Sequence, residues 1–181
     1  MKERKPVRPG EVVLDAGEIA RIVRRLGREI SHDYAGRNPI LVNLLKGGVV
    51  FLADLMRQLD FPHEIEFMHV SSYENGTDSS GSVRIVDDLS RSIENRDVLI
   101  VEDVIDTGTT LAYISNMLRL RKPASIEVCT LLRKDVGAAD PIPIRYVGKV
   151  IPSDFVVGYG LDFEEMFRHL PYIARLEMGD D

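Results

Sequence analysis

Val98-Leu99-Ile100-Val101-Glu102-Asp103-Val104-Ile105-Asp106-Thr107-Gly108-Thr109-Thr110 is the stretch on which the fold and its chemistry turn. Its first four residues are apolar and β-prone, the mark of a strand covered on both faces. Glu102 and Asp103 stand where that strand runs out. Asp106, Thr107, Gly108, Thr109 and Thr110 form a short turn, and Leu111, Ile114 and Leu118 then repeat at helical spacing. A strand that enters a helix through such a turn aims the first amides of the helix at whatever lies above it. Gly108 lets the backbone approach an anion, and the threonine hydroxyls add donors. The two acids repel phosphate, but they suit the rest of a charged ligand, by accepting from sugar hydroxyls or through hydrated magnesium. The run therefore reads as a sugar-phosphate site. It is neither a GxxxxGK[ST] loop nor a dinucleotide fingerprint. From spacing alone, an ordinary acidic turn capped by threonine remains the alternative.

Working outward, the same alternation recurs. Residues 12–14 read as a short strand. Asp15 then reads as an N-cap with Glu18 three residues on, before Ile19, Ile22, Val23, Leu26 and Ile30 at helical spacing. Residues 40–45 read as a buried strand broken by Gly47 and Gly48, and a second helix follows. Residues 65–70 read as a strand with Ile65 and Phe67 on one face. Residues 71–82 are polar, and a strand is expected over 83–86. Residues 126–132 read as a strand, 133–145 as loop, and 146–151, 155–157 and 173–176 as short strands. Alternating strands and helices predict an α/β fold, a mainly parallel twisted sheet flanked by helices, with ligands at the carboxyl ends of the strands.

With 181 residues, one domain is expected, with residues 1–10, basic and holding two prolines, lying loosely at the surface. The formal charge of −6 gives no general basic surface for nucleic acid. The single cysteine, Cys129, lies in an apolar run and reads as packing, which fits a reducing compartment. No apolar segment follows the charged first residues as in a signal peptide, and no apolar run reaches the ~18 residues a membrane span needs. The cytoplasm is the expected location.

The 13-residue run from Val98 to Thr110 resembles the phosphoribosyl-pyrophosphate (PRPP) signature of the type I phosphoribosyltransferases. Leu44-Leu45-Lys46-Gly47-Gly48 resembles the pyrophosphate loop of the hypoxanthine-guanine branch, in which the peptide before the lysine can be cis. Ser71-Ser72-Tyr73 resembles the opening of its mobile lid, here residues 71–82. Lys134, with Phe155-Val156-Val157-Gly158-Tyr159-Gly160-Leu161-Asp162 some twenty residues later, resembles its purine pocket. His169-Leu170-Pro171-Tyr172-Ile173 is similar to bacterial members.

The resemblance implies roles. Asp106, Thr107, Gly108, Thr109 and Thr110 would hold the 5′-phosphate, with Asp106 near purine N7 as general acid/base. Glu102 and Asp103 would hold the ribose hydroxyls and, with Asp162, lie beside Mg²⁺. Lys46, Gly47, Gly48 and Arg168 would bind pyrophosphate, and Ser72 and Tyr73 would belong to the lid. Phe155 would stack on the base, Lys134 would donate to its 6-oxygen, and Val156 and Asp162 would read its edge. Residues from about 133 to 176 would contribute to a small hood subdomain over the base. The implied activity is magnesium-dependent transfer of phosphoribose from PRPP to hypoxanthine or guanine in purine salvage, by a homodimer or homotetramer. The alternatives are a xanthine-preferring transferase and a PRPP-sensing regulator of the same fold. The regulator would need a basic face for nucleic acid that the composition does not supply.

Overall fold

The structure is a computed structural model that describes residues 7–72, 83–137 and 140–179. Its elements run β1 (Val7–Leu14), α1 (Ala16–Asp33), β2 (Ile40–Leu45), α2 (Val49–Met56), β3 (Glu64–Ser72), β4 (Val83–Asp87), β5 (Asp97–Ile105), α3 (Thr109–Arg119), β6 (Ser125–Asp135), β7 (Tyr146–Pro152), β8 (Val156–Val157) and β9 (Ile173–Met178).

Six strands form one sheet in the order β4-β3-β2-β5-β6-β7. Every neighbouring pair is parallel except β3–β4 at one edge. The apolar runs of β2 and β5 are central and covered on both faces. Leu41, Leu99, Val101 and Leu131 pack under Leu26 of α1 and Phe51 of α2. Ile40, Val42, Val98 and Ile100 pack under Ile114 and Leu118 of α3 on the other face. The expected mainly parallel, helix-flanked sheet is what the chain forms.

The α1 start follows the local chemistry that its sequence announces. Asp15 Oδ1 accepts from the Glu18 amide at 2.7 Å, and Glu18 Oε2 accepts from the Asp15 amide at 3.0 Å, both halves of a capping box. Cys129 is buried in β6, and burial raises its thiol pKa, as its packing role requires.

The ends of the chain meet in a second, antiparallel sheet of order β1-β9-β8. This corrects the expectation that residues 1–10 are loose: Val7 to Pro9 pair with Met178 to Leu176. Their strand state comes from a partner at the far end of the chain, which no local pattern encodes. Residues 1–6 lie outside the described residues. The strand expected over residues 126–132 also continues to Asp135, because β7 supplies partners as far as Pro152. On β3 the buried side is Glu66 and Met68, while Phe67 is 40% exposed. The Glu66 carboxylate can be buried because the Ser90 amide and hydroxyl both donate to it at 2.8 Å. Of the expected lid, residues 71–82, only the first two belong to the described residues; they end β3, and Tyr73 lies outside.

Candidate active site

The carboxyl ends of β2, β5 and β6 point the same way, as parallel pairing requires, and the predicted site residues cluster there. β5 does not stop at its acids. It stays paired with β6 through Ile105, so Glu102 and Asp103 sit inside the strand at 9% and 8% exposure. Burial holds the Glu102 carboxyl well above the ordinary range. It raises Asp103 to about 6, although the Val104 amide donates to Asp103 Oδ1 at 2.8 Å. Neither acid forms an ion pair among the described residues.

The turn that follows is built as an anion seat. Gly108 has φ of 73°, a left-handed value natural to glycine, and it caps α3. Its carbonyl accepts from the Ala112 amide, which leaves the earlier amides of α3 without helical acceptors. Thr107 and Thr109 hydroxyls lie 3.0 Å apart at the mouth. A cleft of about 280 Å³ opens above residues 102–111 and reaches Gly47.

Gly47 and Gly48 carry the β2–α2 turn, and the Leu45–Lys46 peptide before it is cis. A Cβ on Gly47 would collide with the Asp103 carboxylate, and one on Gly48 with the Asn43 side-chain amide. The absence of side chains therefore lets this turn lie directly on Asp103 and Asn43. Asn43 is fully buried and donates to the Val101 carbonyl at 2.7 Å, which ties β2 to β5 just before both acids.

A third wall comes from residues 158–171, which form turns. Positive φ at Gly158, Tyr159, Gly160, Glu164, Glu165 and Phe167 breaks any helical run. The segment is pinned to α2, where Tyr159 Oη donates to Asp54 at 2.6 Å. Arg168 donates to the Gly160 carbonyl and to Asp162, both at 2.8 Å. Glu165 meets Lys46 at 3.0 Å and Arg168 at 3.3 Å, and these two cations draw its pKa down.

A second cavity of about 340 Å³ adjoins the first and is lined by Asp106, Lys134, Phe155, Val156, Asp162 and Arg168, among others. Lys134 lies within β6 rather than after it. Its buried ammonium pairs with Asp106 Oδ2 at 2.9 Å and stands 5.9 Å from the centre of the Phe155 ring. Phe155 is 52% exposed and is braced edge-on by Phe163. A half-open aromatic face beside a fixed cation suits a flat, electron-rich ring carrying a keto oxygen.

The structure thus gathers Lys46, Gly47, Glu102, Asp103, Asp106, Lys134, Phe155, Val156, Asp162 and Arg168 around two joined cavities. It does not gather Glu102, Asp103 and Asp162 into one metal set. Among the described residues no group of three acids, histidines or cysteines is placed to hold a cation, and Asp162 is engaged by Arg168 and by the Glu165 amide. Glu102 and Asp103 alone fit a hard cation. Both supply carboxylate oxygens, both are buried and form no ion pair among the described residues, and burial disfavours their charged forms. Sequence reading missed Asn43, Tyr159 and Glu165. Only Asn43 left a signal, as the single polar residue in an otherwise apolar strand.

The chain has close relatives among known proteins. Residues 10–164 match the phosphoribosyl transferase domain family. The chain is 48% identical to the hypoxanthine-guanine phosphoribosyltransferase of Staphylococcus aureus over 167 residues, 92% of this chain and 93% of that one. It is equally similar to the bifunctional protein TilS/HprT of Listeria innocua, of which it spans only 26%. A crystal structure of the hypoxanthine phosphoribosyltransferase of Staphylococcus aureus superposes with a TM-score of 0.88 at 47% identity, covering 93% of this chain and 92% of that chain.

Proposed function

The chain belongs to the phosphoribosyltransferase family, and we propose that within it the protein is a hypoxanthine-guanine phosphoribosyltransferase of purine salvage. The observation that carries this reading is the junction of the two cavities at Asp106. This residue begins the phosphate turn and also pairs with Lys134 in the base pocket.

In this reading the base stacks on Phe155, with Lys134 donating to its 6-oxygen and the Val156 backbone and Asp162 at its edge. The amino group of adenine offers Lys134 no acceptor at that position, so selection for 6-oxopurines follows. PRPP lies along the first cleft, with its 5′-phosphate on the Thr107–Thr110 turn and its pyrophosphate by Lys46, Gly47, Gly48 and Arg168. N9 of the base bonds to the anomeric carbon as the bond to the pyrophosphate oxygen breaks. The proton lost from the base passes to the Asp106 carboxylate, and pyrophosphate keeps the bonding electron pair. Glu102 and Asp103 hold the ribose hydroxyls and face the positive charge that grows on the ring. Fixing both reactants in line supplies much of the rate.

Magnesium, held by Glu102 and Asp103 together with the substrate, would neutralise charge on the leaving pyrophosphate. We place the reaction in the cytoplasm, on the single buried cysteine, and assign the active protein to a homodimer or homotetramer. The exposed apolar side chains of Val49 and Phe67 are available for such a contact.

The test is turnover. Purified protein with PRPP and Mg²⁺ is given hypoxanthine, guanine, xanthine or adenine, and nucleotide is followed by ultraviolet absorbance. Product with hypoxanthine or guanine, none with adenine, and loss of activity in EDTA are expected. PRPP binding without turnover on any base would leave a PRPP sensor instead.

A further inference from the structure

Glu165 is held where an anion is expected. The Glu165 amide donates to Asp162 Oδ2 at 2.8 Å, and Phe163 and Met166 exchange backbone hydrogen bonds across the turn. Glu164, Glu165 and Phe167 all have positive φ, between 50° and 75°, although none is glycine. Such backbone persists only where its surroundings hold it. Its result here is to direct one carboxylate at two cations, with Oε1 3.0 Å from Lys46 Nζ and Oε2 3.3 Å from Arg168. Lys46 lies 119 residues away in the chain, so the contact is made by the fold and not by local sequence. A Cβ on Gly160 would collide with the Gly47 carbonyl, so the two segments are in direct backbone contact at this point.

We propose that Glu165 is a resident counter-anion of the pyrophosphate subsite: it bridges Lys46 and Arg168 in the free protein and is displaced when a diphosphate arrives. This rests on the reading of Lys46 and Arg168 as pyrophosphate contacts. Asp162 and the Gly160 carbonyl already hold Arg168 at 2.8 Å, so the Glu165 carboxylate chiefly holds Lys46 beside it and offsets the repulsion between the two cations. The same carboxylate then competes with bound pyrophosphate for those cations, which eases release of the product. The bridge is displaceable because Lys46 and Glu165 side chains are 56% and 64% exposed, and exposed pairs are individually weak. Both cations gain more from a multiply charged diphosphate than from one carboxylate.

The test is calorimetric titration of the whole protein and its Glu165→Gln variant with magnesium pyrophosphate and, separately, with ribose 5-phosphate. Glutamine keeps the shape and removes the charge at an exposed position, so the fold is retained, which circular dichroism checks. The variant is expected to bind pyrophosphate about three- to tenfold more tightly, with ribose 5-phosphate changed less than twofold. The gain should shrink as salt is raised. Equal or weaker pyrophosphate binding by the variant would overturn the proposal, and so would equal tightening of both ligands, which would report only the lost overall charge. A wild-type protein that binds ribose 5-phosphate but shows no saturable pyrophosphate binding would instead overturn the pyrophosphate reading beneath it.

Discussion

Asp103 illustrates at the scale of one residue how this site trades stability for binding. Its folded pKa, about 6, lies above the 3.8 of an unperturbed aspartate, so folding disfavours its charged form. That penalty is absent below about pH 4, grows as pH rises toward 6 and is complete above it. At 1.36 kcal/mol per pKa unit it reaches about 3 kcal/mol at most. Asp103→Asn in EDTA at pH 7.5 should therefore raise the melting temperature by about 2–8 °C while removing most turnover. A lowered melting temperature would contradict the assigned burial penalty. Lys134 is tested separately. Lys134→Ala deletes the donor to the 6-oxygen, so the KM for hypoxanthine should rise at least about tenfold, with PRPP affinity within about twofold of wild type. If the variant weakened PRPP alone, the base pocket would be wrongly placed.

At the scale of elements, the glycine turn after β2 lies against β5 where it has no room for a side chain. Gly47 lies so close to Asp103 that a methyl group would force the carboxylate or the loop to move. Gly47→Ala should weaken PRPP binding about tenfold or more with a small change in melting temperature, because displacement of a positioning loop costs binding before it costs the fold. Unchanged PRPP affinity would show that the loop does not face the ligand. This turn was legible in the sequence because a glycine pair after an apolar run is a local signal, as were the Asp15–Glu18 capping box and the central strands β2 and β5. The first residues of β1 were not legible, since their strand state depends on β9 more than 160 residues later. The end of β6 was also hidden. Arg133, Lys134 and Asp135 look like loop, yet β5 and β7 on either side hold them extended. The turns around Arg168 adopt left-handed backbone at residues that do not advertise it.

At the scale of the molecule, parallel strands bring three distant segments to one end of the sheet: the glycine turn after β2, the acid pair inside β5 with the threonine turn after it, and the cavity lined by Lys134 of β6 and by Phe155 to Asp162. The sequence motif named most of these residues, and the fold explains why they line the same two cavities. Side-chain partnerships escaped it, because Lys134–Asp106 and Lys46–Glu165 span 28 and 119 residues and exist only through topology. In the proposed reaction the proton lost from the base passes to Asp106, at the point where the two cavities join. The measurement that tests it most directly is single-turnover nucleotide formation from PRPP and hypoxanthine by wild type and Asp106→Asn, alongside PRPP affinity for each. The predicted result is a rate lower by roughly 10²- to 10⁴-fold with PRPP affinity within a few fold of wild type. A rate loss no greater than the loss in PRPP affinity would contradict it and leave Asp106 as a phosphate-turn residue only.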